Sequence, residues 1–91
     1  MTETTFDVFN PATGQVIERV ADSTVLDASR AVDADHAAFP SWAATPSRKR
    51  AEILRRCYDL MVRDADSLTC LIATENGKSV ADAHAEVNYA A

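Results

Sequence analysis

Two thiols, two imidazoles and a scatter of carboxylates are the side chains here with the chemistry to catalyse a reaction or hold a metal. Cys57 and Cys70 stand thirteen residues apart, which is neither a zinc-ligand nor a redox spacing. A nucleophilic thiol needs a base or a helix N-terminus beside it to ionise. Both cysteines fall inside a helical pattern where neither is at hand. Cys57 lies in an apolar stripe and reads as a small core residue. Cys70 falls on the opposite side if the helix is unbroken. His36 shares a helical face with Asp33, but Asp35 points elsewhere, which leaves a metal set incomplete. Asp82 and Glu86 share one helix face. Paired carboxylates do acid–base work only where burial drives their pKa values apart, and this face reads as solvated. The two glycines, Gly14 and Gly77, do not lead from a strand into a helix as a phosphate cradle requires. No Ser–His–Asp or Cys–His set assembles. No catalytic, cofactor-binding or metal-binding residue is assigned.

Composition sets the outer bounds. The 91 residues make at most one domain. A chain of this length buries only about 60–65% of the surface its unfolded form exposes. At 47% hydrophobic and 25% charged the composition is that of a soluble globular protein. A net charge of −5 argues against nucleic acid or an anionic membrane as partner. Arg48, Lys49, Arg50, Arg55 and Arg56 cluster locally, but they interleave with apolar positions and read as a solvated helix face. No apolar run approaches the ~18 residues of a membrane span. The first residues, Met1 to Phe6, lack the basic flank and apolar core of a signal. A cytoplasmic location is expected, with thiols kept reduced.

The elements that must position these groups follow from periodicity. Residues 5–10 alternate as a strand, Asn10-Pro11-Ala12-Thr13-Gly14 reads as a turn, and Gln15 to Val20 as a second strand. On that second strand Val16 and Val20 are expected on one face and Ile17 on the other. Asp22, Ser23 and Thr24 are N-cap candidates, and Thr24 with Asp27 has capping-box spacing. The helix that follows carries Val25, Ala28, Val32, Phe39 and Trp42 on one side, with Asp35 inside that face. Pro40 predicts an end or kink near Phe39. Trp42 reads as an anchor at the chain's turn, or as an exposed binding spot.

The longest helical signal runs from Pro46 to Lys78, opened by Thr45 as N-cap with Pro46 at the first helical position. Leu54, Cys57, Tyr58, Met61, Ala65, Leu68 and Ile72 recur along one side, and Ile53, Leu60, Val62 and Leu71 widen the stripe. The rest of the chain is expected to pack on it. Asp64 falls inside the apolar arc and breaks the pattern, so that Asp64 or Asp66 caps a second segment from Ser67 to Glu75. Asn76-Gly77 closes this segment, and Ser79 and Asp82 form a new capping-box pair that opens a last helix through Val80, Ala83, Val87 and Ala90. The pattern stops at Ala91 without a cap. The apolar stripe is too broad for one neighbouring helix, so the chain reads as a piece of something larger.

Several local signatures occur in order. Phe9-Asn10-Pro11-Ala12-Thr13-Gly14-Gln15-Val16-Ile17 resembles the NPATGEVI stretch of the aldehyde dehydrogenase superfamily. Ala38-Phe39-Pro40-Ser41-Trp42 resembles its AAFxxW helix end, and Arg50-Ala51-Glu52-Ile53-Leu54-Arg55-Arg56 its RAxxLRR helix. Glu75-Asn76-Gly77-Lys78-Ser79 resembles its E-x-GK turn, and Ala83-His84-Ala85-Glu86-Val87 the A-x-x-EV helix beyond. The ending is most similar to succinate-semialdehyde dehydrogenases. The resemblance implies an α/β fold class. Residues 1–91 would be a partial N-terminal segment of the cofactor-binding domain, an α+β fragment with a hairpin over 5–21 and about four helical pieces over 23–91.

Members of this family oxidise an aldehyde to its acid with NAD or NADP. A cysteine attacks the carbonyl, hydride leaves to the nicotinamide, and a glutamate-activated water frees the acid. The resemblance places that cysteine, the glutamate, the oxyanion-hole asparagine and the cofactor contacts downstream of Ala91. Neither Cys57 nor Cys70 matches a catalytic position. Some members hold a monovalent cation partly through backbone near the position of Phe9, but its other ligands have no counterpart here. The implied partners are the remainder of the dehydrogenase chain and, for the parent, further copies in a homo-oligomer. No cofactor is expected on this chain alone. The sequence departs from the family before Thr5, where there is no room for an I-x-G-x-W strand pair. Arg48 stands where many members have a Glu, forgoing a capping interaction of about 0.5–1 kcal/mol. Two functional readings follow. One is a segment of an NAD(P)-dependent aldehyde dehydrogenase, inactive and partly molten alone; the other is a stand-alone helical interaction module.

Overall fold

The computed structural model describes residues 3–91. The readings that begin at Met1, of a missing signal and a missing strand pair, lie partly outside the described residues. Strand β1 (Thr5–Phe9) pairs antiparallel with β2 (Val16–Ala21), and four helices follow: α1 (Val25–Ala44), α2 (Ser47–Arg63), α3 (Ala65–Asn76) and α4 (Val80–Ala90).

The hairpin forms where β-favouring side chains flank a turn closed by its own hydrogen bonds. Asn10 N–H donates to the Gln15 carbonyl at 2.8 Å, and Gly14 N–H returns to the Asn10 carbonyl at 2.7 Å. The Asn10 side-chain oxygen accepts from Ala12 N–H at 2.9 Å. Gly14 takes φ 72°, the left-handed conformation expected of it. Across the strands, Arg19 Nε reaches Asp7 Oδ1 at 2.9 Å in register. One expectation is corrected here. Val8 faces Glu18 while Phe9 faces Val16, so Ile17 is an extra residue in a bulge. Val20 is opposite Phe6 and Val16 opposite Phe9. Those partners are three apart on an unbroken strand, so Val16 and Val20 do not share a face. Ile17 is half-buried.

Helix α1 begins at Thr24 with the complete capping box. Asp27 N–H donates to Thr24 Oγ1 at 3.1 Å, and Thr24 N–H donates to Asp27 Oδ2 at 2.8 Å. Of the end or kink expected near Phe39, the end is not observed: the helix continues through Pro40 to Ala44. Pro40 removes a single N–H. Past Pro40, Ser41 Oγ donates to the Ala38 carbonyl at 3.1 Å and Thr45 Oγ1 to the Ser41 carbonyl at 2.8 Å, in the last turns of the helix. That second bond also corrects the role given to Thr45. Its hydroxyl closes α1, and α2 starts from Pro46 with no side-chain cap. Arg48, where a Glu would complete a box, instead lies 3.9 Å from Glu52.

The long helical signal is broken, as Asp64 predicts, but the break is one residue wide and α3 starts at Ala65 instead of Ser67. Asp64 occupies the N-cap position without a side-chain cap bond. Its carboxylate is held by Arg63 at 2.8 and 2.9 Å. That bidentate pair lowers the Asp64 pKa and raises that of Arg63. Gly77 ends α3 in the left-handed conformation, with its N–H donating to Ala73. Ser79 caps α4 by accepting from Asp82 N–H at 3.1 Å, but the Asp82 side chain makes no return bond to the Ser79 amide, so the expected box is only half formed.

Packing departs most from expectation. The chain does not gather on residues 46–78. Helix α3 packs on α4, α2 meets α3 only at their junction, and α1 and α2 bury no residue. Among the described residues only Thr69, Ala83 and Val87 are buried. The apolar stripe is half-covered from Met61 through Ala65, Leu68 and Ile72, whereas Leu54, Cys57 and Tyr58 lie exposed. Cys57 is therefore no core residue within this chain. Trp42, at 41% exposure, is not a buried anchor. The Cα atoms fill a slab of 48 × 39 × 15 Å with a radius of gyration of 17.4 Å. A compact chain of this length has about 12 Å. The fold is one layer.

Candidate functional site

One thiol, one imidazole and one carboxylate, those of Cys70, His84 and Asp66, border the groove between α3 and α4. The two helices pack as neighbours, joined by a short link in which Gly77 takes the left-handed conformation. Lys78 in that link pairs with Glu86 one turn and more into α4. Ala83 and Val87 of α4 bury against α3 around Thr69. Asp66, Cys70, Ala73 and Thr74 of α3 and Val80, Ala81 and His84 of α4 line the groove that remains. Its continuation on the other flank of α3 is lined by Ser67, Leu71 and Ile17, so the bulge directs Ile17 onto this helix.

The groove does not amount to a catalytic centre. Cys70 is exposed. The His84 ring nitrogen Nδ1 lies 3.3 Å from the Asn88 amide, its neighbour on α4. Thr69 Oγ1 is buried without a hydrogen-bond partner. Among the described residues no three His, Cys, Asp or Glu side chains are grouped to hold a metal, and Asp33, Asp35 and His36 lie exposed along α1. Glu86 of the Asp82–Glu86 pair is engaged by Lys78, and both acids are exposed.

The sequence reading missed that Cys70, His84 and Asp66 border one groove. A signal existed: the Gly77 stop leaves only a short link, which keeps α3 and α4 neighbours. What periodicity does not supply is the rotation of α4 about its own axis.

A dinucleotide cofactor does not fit these residues. Both positive-φ glycines are spent elsewhere, Gly14 closing the hairpin and Gly77 ending α3. Neither opens a helix toward a pyrophosphate. At the starts of α1 and α4 the Asp27 and Asp82 amides donate to the Thr24 and Ser79 side chains.

The fold and the ordered signatures on it define a segment of a known kind of protein. The aldehyde dehydrogenase family pattern matches residues 1–91, and the chain belongs to that family. It is 46% identical over 86 residues to malonate-semialdehyde dehydrogenase 2 of Oceanobacillus iheyensis, covering 94% of this chain and 18% of that protein. It is 41% identical over 87 residues to glutarate-semialdehyde dehydrogenase of Pseudomonas putida, again 18% of the relative's length and 96% of this chain. The crystal structure of succinate-semialdehyde dehydrogenase from Burkholderia pseudomallei superposes with a TM-score of 0.92 at 39% identity, covering 96% of this chain and 18% of that one. The chain thus spans about a fifth of these relatives' length, and the hairpin followed by four helices is a stretch of the aldehyde dehydrogenase fold. No helix among the described residues is long and apolar enough to cross a membrane.

Proposed function

We propose that residues 1–91 are one partial domain, the N-terminal layer of the cofactor-binding domain of an NAD(P)-dependent aldehyde dehydrogenase. The parent oxidises an aldehyde that bears a second acid group, succinate semialdehyde or a near homologue, to the carboxylic acid in the cytoplasm. The observation that carries this reading is the single-layer slab, 15 Å thick, with apolar faces left open on α1 and α2. A domain buries such faces against a second layer. The names of the relatives support the substrate class: malonate-, glutarate- and succinate-semialdehyde each carry a carboxylate beyond the reacting carbonyl.

In this reading the chain contributes no catalytic residue. The nucleophile, the activated water and the cofactor cradle come from the remainder of the dehydrogenase chain, and the parent assembles as a homo-oligomer. The role of α1 to α4 is to clad that machinery.

The test is the intact mass of the product in its native host, detected with an antibody to residues 46–78. A band several times heavier than 9.9 kDa, copurifying with NAD(P)-dependent aldehyde oxidation, is expected. A stable band at 9.9 kDa with no associated dehydrogenase would overturn the proposal in favour of a stand-alone interaction module.

A further inference from the structure

We draw no further inference here: the strongest candidate, the groove between α3 and α4 bordered by Cys70, His84 and Asp66, holds a lone exposed thiol with no second observation pointing to a ligand, and nothing in the structure shows what covers it.

Discussion

Gly77 sits against Pro11: a Cβ added to Gly77 would come within 2.9 Å of Pro11 Cγ. Two segments far apart in sequence, the hairpin turn and the link between α3 and α4, thus touch at a backbone that has no room for a side chain. Gly77 also holds φ 69°, where an L-residue is strained. Both demands fall on one position.

Gly77→Ala is therefore expected to weaken the α3–α4 unit by about 1–2 kcal/mol, from the left-handed strain alone, with the Pro11 clash added to it. Amide hydrogen exchange along α3 and α4 measures the loss locally. A double-mutant cycle separates the two causes. In a Pro11→Ala background the same substitution should cost less, because only the conformational strain remains. Equal costs in both backgrounds would mean that the hairpin turn does not rest on Gly77.

The start of α1 carries its own prediction. Thr24→Ala removes the cap side chain and should cost about 1 kcal/mol of helix stability. Circular dichroism of a peptide spanning residues 22–45 reads this directly. The same box makes the helix sensitive to acid. The Thr24 backbone N–H, and then its hydroxyl, hold the Asp27 carboxyl below the usual aspartate range. A lowered carboxylate pKa means that the contribution is complete above the ordinary aspartate value and is lost as pH falls through the lowered one. Helicity should drop in that acid window, and Asp27→Asn should flatten the response. An unchanged pH profile in the Asn variant would contradict the box.

Thr69 makes the opposite kind of prediction. Its hydroxyl is buried without a partner, which costs about 1–3 kcal/mol of desolvation. Thr69→Val keeps the shape and discards the orphan. Slower exchange of the α3 and α4 amides is expected, by on the order of 1 kcal/mol. Faster exchange would show that the hydroxyl is satisfied in solution.

The exposed faces predict how the isolated chain behaves. Val25, Leu26, Val32, Phe39, Leu54 and Val62 are all more than half exposed, a larger apolar surface than a stable monomer keeps in water. Purified residues 1–91 should show helical far-ultraviolet dichroism, bind an apolar dye and melt without a sharp transition. A cooperative melt with no dye binding would mark a self-sufficient domain.

Local structure was largely legible in the sequence, and packing was not. The hairpin, the Thr24 box, the Asp64 break and the Gly77 stop each rest on two or three neighbouring residues whose chemistry admits few conformations. The errors came where local rules compete. Pro40 forbids one hydrogen bond, the one to the His36 carbonyl, and that single loss does not end the helix, which runs on to Ala44. Thr45 could cap the next helix or close the last, and it closes the last. Ile17 takes the face opposite Val16 if the strand is unbroken and becomes the bulged residue in space, because register is set by both strands together. The apolar stripe through Leu54 and Tyr58 is legible as apolar and lies exposed on α2, because periodicity says only that a face is apolar, not which element covers it. The α3–α4 groove shows the same limit. Its lining residues lie on two helices whose relative rotation depends on Ala83 and Val87 packing around Thr69.

The most direct test of the central claim is a graft. Residues 3–91 replace the matching segment of a succinate-semialdehyde dehydrogenase such as that of Burkholderia pseudomallei, and NAD(P)-dependent oxidation of succinate semialdehyde is assayed. The account predicts a folded enzyme that keeps most of its turnover, since the segment supplies cladding and no catalytic group. A graft that folds and binds cofactor yet oxidises no aldehyde would contradict it, and so would one that fails to assemble although α1 to α4 form as described.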